Sequence, residues 1–232
     1  MGRTDREERH SGEESRSARG RNRMEHQIDA TRERILDVAE RLFLDNGLEA
    51  TSMVDIATAA DITKVTLYRY FPDRHPIAFA VAGRMLRKID EAAKPDDARA
   101  LALPAFAKEY FLRMIRTFPE CREAYRYLGL FDQLYALGYP DEALAERYRH
   151  ELAKGVEAVF QTQPGEDMNS PAAAIVVTIL NVINGFLQKM ASRGRLIGPE
   201  QGVDMETQLA IFESMISIVI DEEIAPFLSE QR

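Results

Sequence analysis

An all-α fold is what this sequence predicts, and three observations predict it. Apolar residues recur at helical spacing, as in Ile35, Leu36, Val38, Ala39, Leu42 and Phe43. Alternation of the kind that marks strands is absent. Breaks at Pro72, 94–97, Pro119, 138–140, 163–171 and 194–202 divide the chain into about nine helical segments, with no internal repeat.

Hydrophobic residues make up 45% of the 232, enough for a sizeable core. The formal charge of −8 is unevenly spread. Residues 1–90 hold 16 Lys/Arg and 16 Asp/Glu, so the whole excess of negative charge lies beyond them. The N-terminal part can therefore approach a polyanion without a strong repulsive field. The single cysteine, Cys121, excludes an intramolecular disulfide and a cysteine-based metal site. Glu7, Glu8 and His10 have metal-ligand spacing, but they sit in a charged stretch with no apolar residues to hold them. No metal or cofactor is expected. The N-terminus lacks the apolar region of a signal peptide. The longest apolar stretch, 172–187, is interrupted by Asn181 and Asn184 and followed by Gln188 and Lys189, too short and polar to cross a bilayer. A cytoplasmic protein with no membrane partner is the expectation.

The elements follow in order. Residues 1–28 are Arg, Glu, Ser and Gly with almost nothing apolar, and read as a disordered arm. Met24 offers an alternative start. Arg16, Arg19, Arg21 and Arg23 suit a groove or a phosphate backbone; a solvated tail is the alternative. A helix then runs from about residue 30 to Gly47, which suits its C-terminal cap.

The informative stretch is 51–71. Ser52 is a good N-cap, and Asp55 can close a capping box with it. The short helix 53–60 turns Ile56, Ala57 and Ala60 inward. Asp61 and Ile62 form a turn that needs a left-handed residue, which Asp tolerates. Thr63 caps a second helix, 63–71, with Leu67 and Phe71 inward. Two short helices on a tight turn, the second with a polar and basic leading edge, are what reading a DNA major groove requires. Thr66 can bond bases or phosphates, Val65 can touch a thymine methyl, and Lys64 can serve a guanine edge or a phosphate. Tyr68 and Tyr70 can place hydroxyls on phosphates, and Arg69 is exposed beside them. The helix starts near Thr51–Ser52 and Thr63 offer unpaired N–H groups. On spacing alone, a short helix pair packed in an ordinary all-α core reads the same way.

Residues 32–79 resemble the DNA-binding region of the TetR/AcrR family of transcriptional regulators. Ile35-Leu36, Ala39, Leu42-Phe43, Gly47, Thr51-Ser52, Ile56-Ala57, Thr63-Lys64, Thr66-Leu67-Tyr68 and Tyr70-Phe71 all fall in the family's register. Arg74 stands where the family usually has a phosphate-contacting lysine. Asp61 replaces the usual turn glycine, and Val65 replaces a frequent glycine on the reading helix, which alters the expected base preference. After the arm that composition gives over 1–28, the resemblance implies a helix-turn-helix domain over 29–75 and a regulatory and dimerisation domain over 76–232. It also implies operator DNA as partner and a homodimeric repressor released by a small molecule.

Beyond that region, Asp73 can cap a helix over 74–89, with Pro76 in its first turn. The segments 172–193 and 204–227 are apolar on several faces and need cover on several faces. Ile175, Ile179, Val182 and Phe186, with Leu209, Phe212, Met215, Ile216 and Val219, form the expected interface between two subunits. The alternative is that both are core helices of one subunit. Phe106, Tyr110, Met114, Phe118, Tyr127 and Phe131, closed by Asn181, Asn184 or Gln188, suit a cavity for a hydrophobic or aromatic effector; ordinary core packing is the other reading. A DNA binder without an effector stays open. A helical carrier or enzyme is a third reading, against which stands the lack of a Ser/His/Asp set, a phosphate loop or metal spacing.

Overall fold

The computed structural model describes residues 26–97, 101–160, 171–193 and 204–225. Among the described residues it holds nine α-helices and no strand. They are α1 (26–46), α2 (Met53–Ala59), α3 (Lys64–Tyr70), α4 (Arg74–Ala93), α5 (Leu103–Arg116), α6 (Phe118–Leu134), α7 (Glu142–Phe160), α8 (Pro171–Arg193) and α9 (Met205–Val219). Residue 26 is already helical, so the boundary expected at 28 falls inside α1. The arm arginines and Glu7–His10 lie outside the described residues.

Helices α1 to α3 form a small head around Ile35, Val38, Ala39, Phe43, Ile56, Ala57, Leu67 and Phe71, all buried. Gly47 ends α1 at φ 91°, a left-handed backbone that a side chain would strain. Helix α4 runs four residues past the expected Ile89, because Ile89 and Ala93 continue one buried stripe. It stops at Lys94, whose extended backbone (ψ 126°) is what the following Pro95 demands. Thr117 both ends α5 and starts α6, leaving Pro119 in the first turn of α6, where it needs no N–H partner. The final helix is not regular throughout its described residues. After Val219 it widens into a π turn, Ile220–Ile224, which keeps Ile216 and Ile220 both buried and brings Asp221 to the Lys108 ammonium at 2.5 Å.

The body is built around an aromatic cluster. The Phe131 ring lies 4.7 Å from Tyr135, 4.8 Å from Tyr148 and 4.9 Å from Phe79 between centroids. Tyr127 packs on Phe43 of the head at 6.2 Å and donates its hydroxyl to the Ala78 carbonyl at 2.9 Å. One continuous core therefore joins head and body. Arg84 on α4 reinforces that junction, pairing with Glu33 and with Asp37 (2.7 Å) on α1. Arg126 on α6 donates to the Leu44 carbonyl at the far end of α1, at 3.1 Å.

One helix stretch, Ala173–Ser192, is long and apolar enough by length and composition to cross a membrane, and 39% of it is buried here. Its buried stripe of Val176, Ile183 and Leu187 packs in the same core, while Val177, Asn181 and Val182 face outward. The uncovered part is thus one mixed face of a core helix.

Candidate nucleic-acid interface

The head presents α3 through a chain of local caps. The Ser52 hydroxyl accepts from the Asp55 N–H at 3.2 Å, and the Asp55 carboxylate accepts from the Ser52 N–H at 2.9 Å and from its hydroxyl at 2.6 Å. Both arms of a capping box are formed. The same bonds, the Ser52 hydroxyl's first, hold the Asp55 carboxyl below the ordinary carboxylate range. Such a lowered group contributes its stabilisation above the ordinary range and loses it as pH falls through the depressed value. Ser52→Ala is expected to cost about 1 kcal/mol in urea unfolding at neutral pH. The difference from the parent should shrink in acid.

Asp61 makes the turn at φ 51°, the left-handed conformation expected of it. Thr63 then caps α3, its hydroxyl accepting from the Thr66 N–H at 3.1 Å and lying 2.9 Å from the Thr66 hydroxyl. Leu67 and Phe71 are buried and fix the roll of the helix. That roll leaves Lys64 exposed, Val65 exposed at 82% and Tyr68 at 52%. Arg69 is exposed, with its guanidinium 5.7 Å from the Tyr70 ring centroid. Lys64, Val65 and Tyr68 thus project together from one edge, with Thr66 half-buried beside them.

The electrostatics of the head differ from those of the body. None of its five cations (Arg32, Arg34, Arg41, Lys64, Arg69) is ion-paired among the described residues. In the body, Arg84, Arg87, Lys94, Lys108, Arg113, Arg116, Arg126, Arg149 and Lys154 are, while Lys88, Arg122, Arg147 and Lys189 have no carboxylate partner among the described residues. Cations left without a carboxylate partner stay available for an external anion.

Two of the expected contacts, Thr51 and Arg74, bond within the protein. Thr51 is fully buried, donating its hydroxyl to the Gly47 carbonyl at 2.9 Å and lying 3.2 Å from that of Leu42. It ties the end of α1 to the start of α2 and cannot reach a phosphate. Arg74 is half-buried and donates to the Glu49 carbonyl at 2.7 Å, so it anchors the α1–α2 loop. Sequence reasoning also missed a surface. Gln27, Ile28, Thr31 and Arg34 of α1 line an open groove of about 700 Å³ together with Ile62, Thr66, Arg69 and Tyr70. Periodicity shows that this face of α1 is polar, but not that it borders α3.

The expected effector cavity is only partly assembled. Phe106, Phe118, Tyr127 and Phe131 are packed in the core, Phe106 against Tyr110, Phe118 against Tyr125 and Tyr127 against Phe131, and Asn181 points to the surface. Tyr110, Met114 and Asn184 do meet, with Leu86, Ile89, Asp90, Gly155 and Leu180, around a cavity of about 70 Å³ between α4, α5, α7 and α8. Tyr110 donates to Asp90 at 2.9 Å, and burial first, then the Asp90 carboxylate, pushes its phenol well above the ordinary tyrosine range. Gln188 instead donates to Asp132 at 3.1 Å.

The expected subunit interface divides in the same way. Ile179 and Ile216 are buried within one chain. Ile175, Leu209, Phe186 and Phe212 are half-buried, the last two stacked at 3.9 Å. Val182 (50% exposed), Met215 (59%) and Val219 remain open, and Val177, Ile211 and Ile218 are open beside them.

Residues 35–81 match the family described as bacterial regulatory proteins, tetR family. The transcriptional repressor KstR of Rhodococcus jostii is 27% identical over 164 residues, covering 69% of this chain and 74% of that protein. The regulator AcrR of Shigella flexneri is 48% identical over 44 residues, 19% of this chain and 20% of that one. A TetR family transcription regulator from Marinobacter aquaeolei superposes with a TM-score of 0.55 at 22% identity, over 88% of this chain and 97% of that one. Another, from Streptomyces coelicolor, gives 0.54 at 20% identity, over 88% of each. At these identities the structures speak to the fold: a helical head on a helical body.

Proposed function

We propose, from the match of residues 35–81 to that family and the likeness to its repressors, that this chain is a TetR-family, DNA-binding transcriptional regulator, a homodimeric repressor released from its operator by a small hydrophobic or aromatic effector. The observation that carries the reading is the free edge of α3: Lys64, Val65 and Tyr68 stand exposed and unpaired on a helix whose start and roll are fixed by Thr63 and Leu67. Ser52, Thr63, Thr66, Arg69 and Tyr70 complete the contact set around it, with the head taken as 29–75 and the regulatory part as 76–232. The uncovered apolar face of α8 and α9 supports pairing with a second copy, which would set two reading helices about one DNA turn, ~34 Å, apart.

Helix α4 supports the coupling. It begins at the head and lines the cavity that holds Tyr110 and Asn184. A void of about 70 Å³ accommodates only a few waters, so an effector would have to select a state with this cavity opened and α4 displaced. The small size of the cavity also favours a second reading, a regulator that answers to no small molecule.

Gel shifts with promoter DNA from beside the gene test the reading. Lys64→Ala is expected to make the dependence of log affinity on log salt shallower by about one. Thr66→Ala and Tyr68→Phe should each weaken binding by about 1 kcal/mol, roughly fivefold. Unchanged affinity and slope in all three would remove α3 from the interface. A thermal-shift screen with lipophilic compounds tests the effector, since a ligand of the folded state raises the melting temperature. The expected hit also dissociates the promoter complex.

A further inference from the structure

Helix α1 keeps its charges apart. Asp29, Glu33, Asp37 and Glu40 recur at steps of four, four and three, and so share one face. That face meets α4, where Arg84 pairs with Glu33 and Asp37. Gln27, Thr31 and Arg34 recur at steps of four and three and form a second row, free of acid, on another face. The fold turns this row toward α3. There it lines the open groove of about 700 Å³ together with Thr66, Arg69 and Tyr70.

Two arginines line the groove and no carboxylate does. Gln27, Arg34 and Arg69 are exposed, and the Arg34 guanidinium has neither an ion pair nor a hydrogen bond among the described residues. The Thr31 hydroxyl already donates to the Gln27 carbonyl at 2.9 Å. That leaves the Gln27 amide and the Arg34 and Arg69 guanidinium groups as the nitrogen donors of the groove, and a guanidinium fork suits phosphate oxygens. Ile28 and Ile62 add apolar surface for the sugars of a strand. The groove is continuous with the reading edge, because Thr66 and Arg69 sit on the same short helix as Lys64, Val65 and Tyr68. A helix seated in a major groove has a phosphate strand along each side. From Gln27 to Arg34, α1 rises ~10.5 Å, enough to follow such a strand past more than one phosphate. The match to the family begins at Ile35, so this row lies outside it.

We propose that the Gln27–Thr31–Arg34 face of α1 is a second DNA contact, a clamp on the phosphate strand that borders the major groove read by α3, with Arg34 as its charged donor. This inference rests on the DNA-binding reading of α3. Arg34 and Arg69 hold the strand from the two helices, which fixes how α3 is seated without reading any base.

The test uses the full-length protein on promoter DNA. Affinity is measured against salt, and ethylation interference maps the phosphates that binding requires. Arg34→Ala is expected to bind about tenfold more weakly, with a salt slope shallower by ~0.9, and to lose interference at phosphates beside the bases that α3 contacts. Arg34→Lys should keep the parental slope. Gln27→Ala removes a neutral donor and should weaken binding about threefold at unchanged slope. Arg147→Ala, an equal loss of charge at an exposed site on α7, should match the parent. A parental slope and ethylation pattern in Arg34→Ala would overturn the clamp, and a shallower slope in Lys64→Ala would show the α3 reading intact. A slope change that Arg147→Ala shares, or that comes with no phosphate lost from the pattern, would also overturn it, as an effect of overall charge. If the parent binds no duplex, the α3 reading itself falls, and the clamp with it. Matching circular dichroism and melting temperature keep folding out of the comparison.

Discussion

A protein carrying Val182→Glu and Met215→Glu is expected to behave as a folded monomer that has lost most of its promoter affinity. Both side chains are at least half exposed in the single chain, so glutamate at either place disturbs little within it. The stacked pair Phe186 and Phe212 joins α8 to α9, and Val182, Met215 and Val219 stand on the uncovered side of that pair of helices. In a two-fold interface each substitution occurs twice, so the new carboxylates are brought together on burial. Burying unpaired charge costs more than the apolar contacts return. With the dimer gone, the second head no longer binds as an intramolecular event, and affinity should fall by about 10²–10⁴. Sedimentation reads the first effect and gel shift the second. A variant that remains dimeric would mean that this face is not the interface.

Phe131→Ala should cost about 3–5 kcal/mol in urea unfolding, a large share of the usual ~5–15 kcal/mol of a domain. The ring is fully buried, packed against Phe79, Tyr135 and Tyr148. Were Phe131 the wall of an open ligand cavity, truncation would enlarge a void already present and cost far less. The same residue therefore separates core from pocket by magnitude. The loss also reaches toward the head, since Tyr135 packs on Phe131 and its hydroxyl meets the His75 ring nitrogen Nδ1 at 2.7 Å on the first turn of α4. A small effect on stability, with altered induction, would restore Phe131 to the cavity.

These cases mark where sequence reading works. Gly47, the Ser52–Asp55 box, Asp61, Thr63 and Asp73 all take the roles their residue types suggest. Each role is satisfied within a few residues, so chemistry and spacing suffice. Thr51 fails as a DNA contact although it is next to Ser52. Its partners are the carbonyls of Leu42 and Gly47. Whether a threonine at a helix start faces solvent or the preceding helix depends on the angle at which the two helices meet.

What the sequence alone determined, then, is the all-helical character, the breaks near Pro72, 94–97 and 138–140 among the described residues, and the small head with the capped helix α3. Periodicity and capping are local, and each is written in neighbouring residues. Only the tertiary structure decided which aromatics fill the core and which three residues of the expected pocket meet around a cavity. It alone separated the open Val182 and Met215 from the buried Ile179 and Ile216 on helices apolar nearly all round. A uniform apolar surface carries no periodic signal, so its division into inside and outside is made by the helices packed against it, which lie far away in the chain.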